Sequence, residues 1–302
     1  MRYVVVGYGN VGAKRKTALG ARCVATVDPF NAAADYRTVE QCPGDAYDAA
    51  IVATPNGAKL ELLRHFVERG KHVLVEKPLL FSDDAEGAQL AEAARARGVI
   101  WYTGYNFRFE PNVVALKRHL EAGDIGPLYH ARMFYGNGTA ANVAGSWHDT
   151  PLGVIEDLAC HLVDLTGYVF GRPGAEFVVW ERRAHETKGP DHCVLATADR
   201  SIEIEVSLLS WKNRWHIEVT GAGGSMEMDG LTKWGTSELI LRRRRLPSGP
   251  PAETRETASP PDPTWAAELE HFERCARERR GSFDNDRWIS RVIHGALAAR
   301  LA

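Results

Sequence analysis

The sequence predicts an α/β protein with two regions. The first is a doubly wound parallel sheet at the N-terminus, and the second is an α/β region built on a mixed or antiparallel sheet. Three observations predict it. Short β-branched runs alternate with helical segments as far as Tyr105. A glycine-rich turn separates the first strand from the first helix. After Phe170, several strand-like segments follow one another with only short turns between them. Strand–helix alternation implies parallel pairing, right-handed crossovers and helices on both faces. Consecutive strands joined by short turns pair antiparallel instead.

Tyr3–Val6 is a β-branched run, and the spacing predicts a helix over Asn10–Leu19, stopped by Gly20. Cys23–Val27 and Ala49–Ala53 read as strands, followed by a helix over Lys59–Arg69 that stops at Gly70. His72–Val75 is a strand, Asp83–Arg97 an Ala- and Glu-rich helix ended by Gly98, and Val99–Thr103 a strand. The character then changes, so residues 1–106 are expected to form one domain and 107–302 a second. Helices are predicted at Val113–Ala122 and Ile155–Phe170. Strands are predicted at Phe177–Arg182, Val194–Thr197, Ile202–Leu208, Trp215–Thr220, Ser225–Met228 and Leu239–Leu241. Leu246–Pro263 is rich in Pro and Gly and reads as a surface loop. Helices over Thr264–Arg280 and Asp286–Arg300 close the chain.

Composition narrows the function. The 302 residues carry 37 Lys plus Arg against 39 Asp plus Glu, a formal net charge of -2 that argues against a dedicated nucleic-acid binder. The Arg242–Arg245 run has no interleaved aromatic residues and reads as a solvated strand end. No apolar stretch approaches the length of a membrane span, and no signal peptide is visible, so a cytoplasmic protein is expected. Cys23, Cys42, Cys160, Cys193 and Cys275 include no CxxC pair, so neither a metal site nor a disulfide framework is expected.

Gly7-Tyr8-Gly9-Asn10-Val11-Gly12 fits G-x-G-x-x-G in its required setting, after a strand and opening a helix. Gly7 permits the tight turn, Gly9 lets backbone approach a pyrophosphate, and Gly12 allows close helix packing. The helix N-terminus then stabilises the anion. Asp28 ends the second strand about 20 positions after Gly7, where a carboxylate accepts hydrogen bonds from an adenosine ribose. Pro29, Phe30 and Asn31 follow it with no adjacent Arg, so NAD is expected over NADP, with NADP possible. Thr54-Pro55-Asn56 and Glu76-Lys77-Pro78 each follow a predicted strand, and such strand ends line the ligand crevice. A lysine partly desolvated beside a cationic nicotinamide holds its proton less tightly, which suits Lys77 to acid–base work. Asp157, His161, Asp164 and Tyr168 recur at helical spacing on one face of an otherwise apolar segment.

Together these motifs resemble the Gfo/Idh/MocA family of sugar and cyclitol oxidoreductases. The resemblance extends through Asn106-Phe107-Arg108-Phe109-Glu110-Pro111, Gly123-Asp124-Ile125-Gly126 and Asp157-x-x-x-His161-x-x-Asp164. It implies an N-terminal Rossmann domain and a C-terminal α/β domain with a large open mixed sheet, through which members assemble as dimers or tetramers. It also implies hydride transfer between NAD(P) and a secondary alcohol or ketone of a sugar, sugar nucleotide or cyclitol. Lys77, Asp157 and His161 would surround the reacting group, and Asp164 would be structural. Glu76 and Asn106 join the coenzyme residues, while Arg108, Tyr135, Trp147 and His148 are candidate pocket residues. Two other readings are weighed: an enzyme with the same early residues that cleaves glycosides by transient oxidation and elimination, and a non-catalytic coenzyme-sensing regulator on the same fold, which retention of Lys77 and His161 disfavours. Lys59 stands where the family often has His.

Overall fold

The structure is a computed structural model, and it describes residues 1–298. It divides into two compact units. One is Met1–Tyr105 with Trp265–Ser290, and the other is Asn106–Thr264 with the chain from Arg291 onward. The expectation that everything after residue 106 forms one domain is therefore corrected: Trp265–Ser290 returns to the first unit. The reason is burial. Leu269, Phe272, Cys275 and Ala276 lie in the first unit's hydrophobic core, and the Tyr3 hydroxyl donates to Glu273 at 2.6 Å. Helical periodicity announces a buried face without naming the sheet that covers it.

The first unit holds β1 (Tyr3–Val6), β2 (Cys23–Val27), β3 (Ala49–Val52), β4 (His72–Glu76) and β5 (Trp101–Gly104). All pairings are parallel and the order is β2-β1-β3-β4-β5. Every residue of β1 and β3 is buried, as strands covered on both faces require. Each such Val or Ile contributes about 1.5–3 kcal/mol. Helices α1 (Asn10–Leu19), α2 (Asn56–Glu68) and α3 (Asp84–Ala96) are the crossovers. Asp83 caps α3 by accepting the Glu86 amide at 2.8 Å. The chain leaves β1 toward β2 on one side and reaches β3 on the other, so the sheet's switch point lies between β1 and β3. Helix α7 (Thr264–Glu278) joins this unit from Trp265.

The second unit is an eight-stranded mixed sheet, ordered β13-β12-β11-β10-β6-β9-β8-β7. Its strands are β6 (Leu128–Gly136), β7 (Phe177–Arg183), β8 (His192–Thr197), β9 (Ile202–Ser207), β10 (Arg214–Gly221), β11 (Gly224–Asp229), β12 (Ser237–Arg243) and β13 (Ala252–Ala258). The β6–β9 pairing is parallel and the other pairings in the sheet are antiparallel. Helices α4 (Pro111–Glu121), α5 (Ala140–Val143) and α6 (Cys160–Leu165) belong to this unit. Three expectations change. β6 is a full strand that was not predicted, although Ala131, Met133 and Tyr135 are its buried alternates. β13 replaces part of the predicted loop: it is an exposed edge strand of charged and threonine residues, held through Arg242–Glu253 at 2.8 Å and Arg255–Glu238 at 3.1 Å. Its polar side chains carry no apolar period to read. The helix over 155–170 is α-helical only at α6 and widens to π turns at Ile155–Ala159 and Thr166–Phe170. Helix α8 (Phe283–Ala298) reaches the last described residue, and its predicted extension to Arg300 lies outside the described residues.

Candidate active site

The glycine turn after β1 is built as the motif demands. Gly7 has φ +88°, and a Cβ there would lie 2.4 Å from the Ala53 carbonyl oxygen. A Cβ on Gly12 would fall 1.9 Å from the Gly7 carbonyl oxygen, whereas a Cβ on Gly9 would meet nothing within 4 Å. Two glycines thus serve the protein's own packing, and the third keeps open the space over the turn. Gly9 caps α1 without a side-chain hydrogen bond, which leaves the helix N-terminus to an external anion. Asp28 stands behind the turn. Its carboxylate accepts amides from Tyr8 at 2.7 Å and from Phe30 and Asn31 at 2.8 Å. Burial raises its pKa, but those three amides and the Arg37 guanidinium outweigh it and hold the group below the usual carboxylate range. The Asn31 amide donates to the Tyr8 carbonyl at 2.6 Å, so the Tyr8 peptide is clamped on both sides. Lys16 lies over the Tyr8 ring at 5.0 Å.

The next two strand ends carry the other first-unit candidates. Thr54 follows β3, and its Oγ1 is buried with no hydrogen-bond partner among the described residues. Pro55 precedes α2, whose first residue is Asn56. Lys77 follows β4, joined to Pro78 by a cis peptide bond. Its backbone is tethered from α2. The buried Lys59 ammonium donates to the Lys77 carbonyl at 2.9 Å, the Pro78 carbonyl at 2.9 Å and Asn56 Oδ1 at 2.7 Å. Glu76, expected among the coenzyme residues, is bound by a buried cation. Arg15 donates to Glu76 from Nε at 2.7 Å and to Glu268 from Nη2 at 2.6 Å, with its guanidinium 4.3 Å from the centre of the Trp265 ring. Burial alone would weaken that guanidinium's charge, but Glu76 and Glu268 more than restore it. Gly104 leaves room for the cluster, since a Cβ there would stand 3.2 Å from Arg15 Nη2.

In the second unit, Asp157 sits in the first wide turn and His161 at the start of α6, where π turns often mark functional sites. The His161 ring is nearly buried and stacks on Phe107 at 4.3 Å and 26°. Phe107 also meets Tyr135 at 5.7 Å and Trp215 at 5.0 Å. Tyr135 and Trp215 are register partners across β6 and β10, so the sheet itself fixes this aromatic floor. Arg108 pairs with Asp164 through both guanidinium arms, and Asp164 is fully buried. The pair engages the Arg108 fork with a buried carboxylate. Asn106 donates to Thr264 Oγ1 at 2.8 Å, tying together the ends of the 106–264 stretch. The Trp147 and His148 rings meet at a tilt of 31° in an exposed turn.

Sequence reasoning did not place two lysines that the structure sets against these candidates. Lys59 was visible only as a departure from the family pattern. Lys233 was not singled out. Its Nζ lies 4.2 Å from the centre of the Phe107 ring, 4.3 Å from Trp234 and 5.5 Å from Tyr135. A Lys-Trp pair in a strand connection carries no spacing signal. Its placement depends on Glu110, whose buried carboxylate accepts the Thr232 hydroxyl at 2.8 Å and the Thr232 amide at 3.3 Å. Burial pushes the Glu110 carboxyl above its usual range against those bonds and the nearby Lys233 charge.

An open helix N-terminus and glycine cradle at the switch point of a parallel sheet, with an ionised aspartate behind, define a dinucleotide-binding α/β protein. Residues 1–105 match the model described as "Oxidoreductase family, NAD-binding Rossmann fold", and residues 113–227 match the GFO/IDH/MocA C-terminal domain. The chain belongs to the Gfo/Idh/MocA family of NAD(P)-dependent oxidoreductases. It is similar to the scyllo-inositol 2-dehydrogenase (NAD(+)) of Bacillus subtilis (strain 168), at 25% identity over 92% of this chain and 86% of that protein. A levoglucosan dehydrogenase in complex with NADH shares the fold at a TM-score of 0.80 and 17% identity, covering 98% of this chain and 96% of the other. So does an oxidoreductase from Agrobacterium radiobacter in complex with NAD+, L-tartaric acid and magnesium, at a TM-score of 0.80 and 17% identity over 98% and 95% of the two chains. No helix among the described residues is long and apolar enough to cross a membrane.

Proposed function

We propose that the protein is an NAD-preferring dehydrogenase acting on a secondary alcohol or ketone of a sugar, sugar nucleotide or cyclitol. The observation that carries this reading is the alignment of three neighbouring strand ends in one unit. Gly7 follows β1, Thr54 follows β3 and Lys77 follows β4, with Lys59 holding the Lys77 main chain. Nicotinamide, when bound, supplies the hydride acceptor or donor at C4. In the oxidising direction Lys77 takes the hydroxyl proton as the carbon gives up its hydride, leaving a ketone. In the reducing direction its ammonium stabilises the developing alkoxide and returns the proton. His161 and Asp157 are assigned the second proton-handling and substrate-orienting role. Gly7, Tyr8, Gly9, Asn10, Val11, Gly12, Asp28, Thr54, Pro55 and Asn56 are assigned to the coenzyme.

The ionised Asp28 favours a ribose diol over a 2′-phosphate, which supports NAD. The dehydrogenase named among the relatives supports net hydride transfer over elimination or coenzyme sensing. The reading extends to a cytoplasmic homodimer or homotetramer, as the family resemblance implies, and light scattering tests the assembly. The deciding experiment is a panel of hexoses, inositols and nucleotide sugars, followed by absorbance of reduced coenzyme with NAD and NADP separately. Turnover with at least one polyol and NAD is expected. Absence of turnover with every member, in both directions, would overturn the assignment.

A further inference from the structure

We propose that Arg37 sets coenzyme specificity: its guanidinium takes the 2′-phosphate of NADP, so the protein accepts NADP beside the NAD it prefers. The inference rests on the proposed reading of Asp28 as the carboxylate that faces the adenosine ribose, and it deepens that reading. Arg37 is not adjacent to Asp28 in the sequence, and the fold brings it back. The Asp28 amide donates to the Tyr36 carbonyl at 3.0 Å and the Tyr36 amide to the Thr26 carbonyl at 3.0 Å, so Tyr36 lies as a single parallel bridge against Val27. Asp35 fixes the approach by accepting the Thr26 amide at 2.8 Å and the Thr26 hydroxyl at 2.7 Å. On the far side the Arg37 amide donates to Gln41 Oε1 at 2.8 Å, beside the Thr38–Gln41 capping box. The main chain of Arg37 is therefore held on both flanks, which positions the charge it carries.

The guanidinium stands close to Asp28 without being spent on it. Its Nη1 donates to the Asn31 carbonyl at 3.0 Å, and the Asn31 amide donates to Asp28 Oδ1 at 2.8 Å. A single residue thus links the cation to the carboxylate. Against burial, the guanidinium joins the three amides in holding the Asp28 carboxyl below its usual range. Yet the Asn31 contact is the one side-chain hydrogen bond of Arg37 among the described residues, and it forms no ion pair there. The Asn31 carbonyl does not need it either, since that oxygen also accepts the Ala34 amide at 3.1 Å. A guanidinium carries five N–H donors in a planar fork that matches phosphate, and this one is exposed. Asp28, for its part, has given three of its roughly four acceptor sites to backbone amides. It retains room for one ribose hydroxyl, so its discrimination against a 2′-phosphate rests on charge, and a neighbouring guanidinium offsets charge.

The test reads binding and does not depend on turnover. NADPH and NADH are titrated by fluorescence into the full chain, and adenosine 2′,5′-bisphosphate and 5′-AMP by calorimetry. Wild type should bind NADPH within about tenfold of NADH. R37Q should weaken NADPH and the bisphosphate by about thirtyfold, the loss of a charge-assisted pair, while NADH and 5′-AMP change by less than about threefold. R37K should keep part of the NADPH affinity, because an ammonium restores the charge without the fork. Added salt should weaken NADPH more than NADH in wild type and lose that selectivity in R37Q. Wild type that binds NADH but not NADPH, R37Q that keeps wild-type NADPH affinity, or R37Q that weakens both coenzymes equally would overturn the inference. Selective loss of NADPH in R37Q without turnover of any polyol would keep it and remove the proposed function. Turnover of a polyol with NAD by a wild type that does not bind NADPH would do the reverse.

Discussion

Removing the Lys59 ammonium should unsettle the reacting lysine without touching it. In K59M the two carbonyls of Lys77 and Pro78 and the Asn56 amide oxygen all lose a donor at 2.7–2.9 Å. Only 3% of Lys59 is exposed, so water replaces the donor poorly. Each orphaned acceptor costs about 1–3 kcal/mol, while relief of the buried charge returns part of it. A net loss of about 2–4 kcal/mol is expected, a large share of the ~5–15 kcal/mol typical of a folded protein. The assay is urea denaturation of wild type and K59M with native hydrogen exchange at residues 56–59 and 77–79. Exchange should quicken in both segments, and kcat should fall more than NADH affinity. A stability change below about 0.5 kcal/mol, with kcat intact, would refute the reasoning that Lys59 fixes the Lys77 backbone.

The glycine turn gives a discriminating pair. G12A forces a Cβ to 1.9 Å from a main-chain oxygen, so it should lose about 2–3 kcal/mol and bind NADH at least about tenfold more weakly. G9A meets nothing in the protein, so it should cost only the weaker N-cap of alanine, within about 1 kcal/mol, while NADH affinity, read by fluorescence titration, still falls. Glu110 gives a pH dependence. Its folded pKa is raised, so the stability it contributes is full below the unfolded value of about 4.3 and is lost as pH rises through the folded value. Gln does not titrate, so E110Q should cost more stability near pH 4 than near pH 8, as urea midpoints at the two pH values would show.

Much of the first unit was legible because its signals are local. The strand, glycine turn and helix from Tyr3 to Leu19 lie within one short stretch, and each glycine has a steric reason that one sequence can suggest. Asp28 was readable from its distance along the chain, whereas the three backbone amides that its carboxylate accepts were not. What escaped depends on distant partners. Glu76 follows a strand as a coenzyme ligand would, but its partner Arg15 and the second acid Glu268 come from far along the chain. The return of α7 to the first unit is likewise a choice between two sheets that amphipathicity does not encode. β13 was hidden because an edge strand with solvent on its side chains needs no apolar alternation. In the second unit, Asp157 and His161 were visible as helical spacing, whereas Lys233 needed the β6–β10 register and the Glu110 anchor to bring it over Phe107.

The central claim is that hydride moves between a carbinol carbon and bound nicotinamide while Lys77 handles the proton. It is tested most directly with a substrate found in the polyol panel and deuterated at its reacting carbon. Mass spectrometry of the coenzyme after turnover should find one deuterium on the nicotinamide with wild type. K77M should bind NADH with near wild-type affinity and transfer almost none. Transfer by K77M at the wild-type rate, or reduced coenzyme that carries no deuterium, would contradict the account.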